Sequence, residues 1–141
     1  MTKSILLSID LSDPESSNQA LKGALSLLDD TDTLHVVSVL PPFGLAIATG
    51  ALSKDFEKKA LLDFGHALKQ WTLEKVPESI NARPHVLHGT VYHEVLLAAD
   101  KLAVDVIVLS AHRPAFKDYF LGPNAARIVR HAKQSVYVVR N

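Results

Sequence analysis

Two places along the chain hold residues that could act on a phosphate-bearing ligand. The first is Gly122-Pro123-Asn124-Ala125, which reads as a helix start after a long polar loop. Free backbone N–H groups at such a start, together with the helix dipole, attract anions. Around it stand His112, Arg113, Lys117, Arg127, Arg130, His131 and Lys133, with Asp118 the only acid in that span, so the local charge is positive. An ordinary capped helix with a solvated basic face accounts for the same residues equally well. The second place is Asp10, which closes an apolar run over residues 5–9. A carboxylate there can bond a ribose hydroxyl or hold a metal ion beside phosphates. Taken alone, Asp10 reads first as a turn or capping aspartate.

Other constellations carry less. His85, His88 and His93 resemble a metal cluster by proximity, but His85 and His88 are three apart in a strand and point to opposite faces. His93 falls in the following helix, so scattered surface histidines are the plainer reading. Nucleophile elbow (G-x-S-x-G), Walker loop, G-x-G-x-x-G and H-E-x-x-H patterns are missing from the sequence. Serine, histidine and aspartate residues occur, but nothing marks a triad.

The composition bounds what the elements around these residues can be. A chain of 141 residues, 48% apolar and 21% charged, suits one globular domain spanning residues 1–141. Lys+Arg and Asp+Glu each count 15, so no global charge draws it to nucleic acid or an anionic membrane. The absence of cysteine excludes disulfides, thiolate catalysis and Cys-ligated zinc. The first residues lack a signal-peptide pattern and no apolar run reaches membrane-spanning length, so a soluble, cytoplasmic protein is expected.

Strand-like and helix-like stretches alternate. Strands are expected over residues 3–9, 33–40, 83–88, 105–109 and 135–140. Helices are expected over residues 14–29, 53–74, 91–102 and 123–132. Pro14 fits a first helical position with Asp13 as its cap, although Ser12 with Glu15 offers a competing capping box. Phe56, Ala60, Phe64, Ala67 and Trp71 recur at helical spacing and read as core rather than a cofactor box. Residues 43–52 form a connection long enough for a flap or functional loop. Pro84 suits an edge strand. The alternation implies an α/β fold: a doubly wound, five-stranded parallel sheet in the order 3-2-1-4-5 with helices on both faces. Its switch point lies between strands 1 and 4, at Ser8-Ile9-Asp10 and Leu109-Ser110.

With these elements in place, the chain resembles the universal stress protein family over its whole length. ILLSIDLSD stands where the family has I-L-V-P-x-D-x-S, and LHVVSVLPP matches its second strand. HGTVYHEVLLAADKLAVDVIVLS matches its G-x-P-x-x-x-I helix and the strand after it, and RIVRHAKQSVYVVR closes the match. AHRPAFKDYFLGPNAARIVRHA is most similar to the F/G-type branch, which carries S-H-R-P and L-G-S-N-A-A there.

The resemblance implies an adenine nucleotide alpha hydrolase-like fold and an ATP-binding stress-response sensor or regulator, with ADP or AMP as other ligands. Asp10 matches the aspartate near the ribose and a Mg ion, and Val39 the residue beside adenine. Leu109 matches the apolar residue before the first glycine of the family motif G-x2-G-x9-G-S/T. Ser110 and Arg113 stand where its first two glycines would be, and the stretch before Gly122 has eight residues rather than nine. Pro123 replaces the Ser or Thr. Ser110, Arg113 and the shorter loop follow the F/G-type pattern, whose members are nucleotide binders. Pro123 removes a hydroxyl and a backbone N–H and weakens the phosphate grip. The resemblance also implies a homodimer through the last strand, Ser135 to Arg140, with higher oligomers and a regulatory protein partner open. A nucleotide-free, A-type interaction module and a slow ATPase are the competing functions.

Overall fold

The computed structural model describes residues 2–42, 49–50, 53–111 and 122–140. The first strand, β1 (Ser4–Ser8), carries Ile5, Leu6 and Leu7, each 0% exposed. A continuous apolar run is what a strand covered on both faces requires. Asp13 then caps helix α1 (Pro14–Leu27), its carboxylate accepting from Ser16 N–H at 3.1 Å, so the aspartate cap prevails over the serine box. Strand β2 (Thr33–Leu40) leads to α2 (Lys54–Lys75), which starts on the cap Ser53. Strand β3 (Asn81–His88), helix α3 (Val91–Lys101), strand β4 (Val106–Ser110), helix α4 (Pro123–His131) and strand β5 (Ser135–Val139) follow.

The five strands form one sheet in the order β3-β2-β1-β4-β5, every neighbouring pair parallel. This is the expected α/β arrangement. Helices α1 and α2 cover one face over a core of Ile5, Leu7, Leu34, Val36, Leu68 and Val108. Helices α3 and α4 cover the other over Leu6, Val37, Val95, Ile107 and Ile128. Alternate residues of one strand thus feed opposite cores, as the pleat dictates.

Most boundaries fall within one residue of the sequence reading; two differ by two residues, for identifiable reasons. Strand β3 begins at Asn81 rather than residue 83, because it pairs with all of β2, from Thr33 opposite Asn81 to Leu40 opposite His88. Helix α1 stops at Leu27, short of Asp29. Beyond it Asp32 takes over the backbone: its carboxylate accepts from Asp29 N–H and from Lys3 N–H, both at 2.8 Å. Strand β3 is a sheet edge, which tolerates Pro84. The connection read over residues 43–52 falls mostly outside the described residues.

Close approach of α1 to the other edge rests on Gly23. A Cβ there would collide with Val139 Cγ2 and come within 3.3 Å of Tyr137 Cε1. Glycine lets the helix lie directly on β5.

Candidate functional site

The site is built where β1 and β4 leave the sheet. Ile9 N–H donates to Val37 C=O at 3.0 Å, and Ser38 Oγ donates to Ile9 C=O at 2.8 Å, so the end of β1 is pinned to β2. The chain then turns on Asp10. Its carbonyl accepts from Asp13 N–H (3.0 Å) and Ser17 Oγ (2.7 Å). Its Oδ1 accepts from Ser12 N–H (2.9 Å) and Ser12 Oγ (2.6 Å). Asp10 is therefore a turn aspartate whose side chain remains exposed at the switch point. Across from it, Ala111 N–H donates to Val139 C=O at 2.9 Å, which carries the β4–β5 ladder one residue past Ser110.

Between these ends lies a cavity of about 570 Å³. Strand β1 and its turn give it Ser8, Ile9 and Asp10, and β2 gives Val39. Strand β4 gives Leu109 and Ser110, and the start of α4 gives Gly122, Asn124 and Ala125. Four separate segments read from the sequence as one site thus converge on one hollow. Pro123 occupies the first helical position of α4 and does not line the cavity. His112 and Arg113 lie outside the described residues.

The start of α4 has no side-chain cap and no acid in its first turn. Gly122 C=O accepts from Ala126 N–H at 2.9 Å, so the intrahelical ladder begins there and leaves the N–H groups before it for another acceptor. Helix α3 also starts without a side-chain cap bond at Thr90, and its first residue, Val91, lines the same cavity. By contrast α1 and α2 are capped by Asp13 and Ser53. An anion in the cavity would meet the start of α4, whose dipole favours it, whereas Glu94 in the first turn of α3 opposes one there.

The described basic residues near α4 are not gathered there. Arg127 lies over the Tyr92 ring, 4.6 Å from its centroid. Arg130 and His131 occupy the last turn of α4, where cations complement the helix dipole. Lys133 Nζ lies 3.6 Å from Asp100. None of these residues lines the cavity. The histidines are separated as well. His88 Nδ1 lies 3.5 Å from Glu57 Oε1 on α2, whereas His85 Nε2 lies 3.0 Å from His35 Nδ1 over the opposite core. Among the described residues no group of three or more His, Cys, Asp or Glu side chains could hold a metal ion. Asp10 and Asp13 line the cavity, a donor set suited to Mg only if ligand phosphates complete the shell.

Some lining residues were not singled out in the sequence. Ser12 reads in the sequence only as a competing cap, and Ser16 carries no signal of its own. Phe64 belonged to a helical stripe read as core, yet the aromatics of α2 part company: Trp71 packs on the core, Phe56 is 46% exposed, and Phe64 lines the cavity.

Comparison with known proteins agrees with this architecture. The model of the universal stress protein family matches residues 1–140. Universal stress protein G of Escherichia coli O157:H7 is 29% identical over 143 residues, covering 99% of this chain and 100% of that protein. Among solved structures, a hypothetical protein used as a structural-genomics test case superposes with a TM-score of 0.82 at 17% identity, covering 99% of this chain and 96% of that one. A universal stress protein of Archaeoglobus fulgidus in complex with dAMP gives 0.61 at 15% identity, covering 97% of each chain. A family protein of Arabidopsis thaliana with AMP bound gives 0.64 at 13% identity, covering 99% of this chain and 92% of that one.

Proposed function

Because the chain belongs to the universal stress protein family, we propose that it binds an adenine nucleotide in the cavity between β1 and β4 and acts as a stress-response sensor or regulator. One observation carries the reading: the predicted positions on β1, β2, β4 and α4 meet around a single hollow at the switch point. The AMP and dAMP held by two of the structural neighbours support the choice of ligand class.

The chemistry of the lining assigns roles. The N–H groups of Asn124 and Ala125 at the start of α4 take the phosphates. Asp10 faces the ribose hydroxyls or a Mg ion shared with the phosphates. Val39 and Leu109 flank the base, and Ser110 borders the sugar-phosphate path. His112 and Arg113 belong to the same binding loop in this reading, and the Arg113 guanidinium supplies charge for a phosphate. ATP, ADP and AMP share these contacts.

The exposed edge β5 suits antiparallel pairing with a second copy across a twofold axis, with Tyr137, 40% exposed, at the seam. Among the described residues no helix is long and apolar enough to cross a membrane.

Mass spectrometry of small molecules released from freshly purified protein tests the proposal. Recovery of an adenine nucleotide, with saturable rebinding by calorimetry, is expected. Protein that carries none and binds none would be a nucleotide-free interaction module instead.

A further inference from the structure

We propose that Phe64 is the base-stacking wall of the cavity, so that the site selects ligands with a planar, purine-sized ring rather than any phosphorylated sugar. This rests on the nucleotide reading above and adds the residue that recognises the base.

The argument begins with length. Helix α2 has 22 residues, about 33 Å at 1.5 Å per residue. Strands β2 and β3 have eight each, about 26 Å. The helix descends antiparallel to both strands after leaving the carboxyl end of β2, so its first turns overhang the strand ends. Glu57, 3.5 Å from His88 at the last position of β3, marks that level. Contact with the sheet is established further on: a Cβ at Gly65 would sit 3.6 Å from Val86 Cγ2, and Leu68 is 0% exposed.

Phe64 lies at the transition. It stands on the inward stripe of α2 but joins neither core cluster among the described residues, and it is half-buried in the cavity wall. At the level of Gly65 and Val86 strands β2 and β3 still run on, but β1 has already stopped at Ser8, opposite Val37. An aromatic ring left part-exposed inside a hollow presents a flat apolar surface at a low cost in side-chain freedom.

Helices α2 and α4 cover opposite faces of the sheet, so this surface lies across the cavity from the start of α4, while Ser12, Asp13 and Ser16 at the start of α1 share its face. Val39 and Pro41, from the end of β2, are apolar. Asp10 and Asn124 lie toward β1 and α4. A ligand with its phosphate at α4 therefore directs its other end toward β2 and α2. Stacking on a ring face suits a heteroaromatic base, and a purine covers more of that face than a pyrimidine.

Isothermal titration of AMP into wild type, Phe64→Ala, Phe64→Leu and Phe64→Trp tests this, with thermal melts confirming that each variant folds. Leu keeps apolar bulk without a π face, so it separates stacking from packing even if the alanine variant unfolds. AMP affinity is expected to fall about tenfold in F64A and nearly as far in F64L, and to be kept or improved in F64W. AMP binding to F64L within about twofold of wild type would overturn the assignment while leaving the nucleotide site standing. Wild type that binds no AMP would instead remove the nucleotide reading on which the assignment depends.

Discussion

His35 Nδ1 and His85 Nε2 stand 3.0 Å apart on the neighbouring strands β2 and β3, so one hydrogen joins the two rings. One nitrogen donates and the other must keep its lone pair, so both rings cannot be protonated without breaking the bond. Burial holds both rings below the usual histidine range; the other ring adds to this at His35, and Arg83 adds to it at both. Above about pH 6.5 the pair is neutral in folded and unfolded chains alike, and its contribution is intact. As pH falls below that value, the unfolded chain takes up protons that the folded pair resists, and stability drops. Each withheld proton steepens the fall by up to about 1.4 kcal/mol per pH unit. Melting temperatures between pH 7.5 and 5 should therefore decline less in His85→Gln than in wild type; equal slopes would acquit the pair.

A second acid transition belongs to Asp32, which is 1% exposed at the amino ends of the strands. Its carboxylate lies 2.8 Å from Lys3 Nζ and also accepts the Lys3 and Asp29 N–H groups. The Lys3 ammonium bond, aided by those two N–H groups, lowers its pKa from 3.8 to about 2. Its stabilisation is present above about pH 4 and is lost as pH falls toward 2. Asp32→Asn should be less stable at neutral pH and should lose that segment of the acid unfolding curve, measured by circular dichroism.

At Gly23 the ordinary helix rule reverses sign. Alanine in place of glycine inside a helix usually stabilises by about 1 kcal/mol. Here its Cβ would collide with Val139 Cγ2, so Gly23→Ala should destabilise by about 1–3 kcal/mol in urea unfolding. Trimming the obstacle in G23A/V139A should recover part of the loss, a coupling that a double-mutant cycle resolves.

At the start of α4, Pro123 offers neither an N–H nor a hydroxyl to the proposed phosphate position. Pro123→Ser should tighten ATP binding by about one to two decades, the worth of a hydrogen bond to a charged acceptor at about 1.5–3 kcal/mol. Calorimetric titration of both proteins decides it, and unchanged affinity would remove the proline from the account.

Local signals carried most of the fold. Ile5-Leu6-Leu7 announced a strand buried on both faces, and Asp13-Pro14 and Ser53 marked helix starts that the structure keeps. The switch point followed from element order, and with it Asp10 and Ser110, whereas Asn124 came from the Gly-Pro helix start. What remained hidden depends on register and relative length. Asn81 looks polar and loop-like until it pairs with Thr33, and His35 meets His85 across fifty positions only because β2 and β3 align as they do. Phe64 shares its periodicity with Trp71; that one faces a cavity and the other a core reflects where β1 stops, which periodicity does not record.

The two ends of the sheet have different mutational fates. Lys3 and Asp32, together with the Asp105 carboxylate that accepts Ser4 N–H at 2.8 Å, tie the strands at their amino ends. The cavity opens at the carboxyl ends, with the whole of β1 between. Substitutions at Ser110 or Asn124 thus reshape the cavity without loosening the knot at the opposite end. A lineage built on this sheet can drift in ligand preference, or lose its ligand outright, and still inherit the same scaffold.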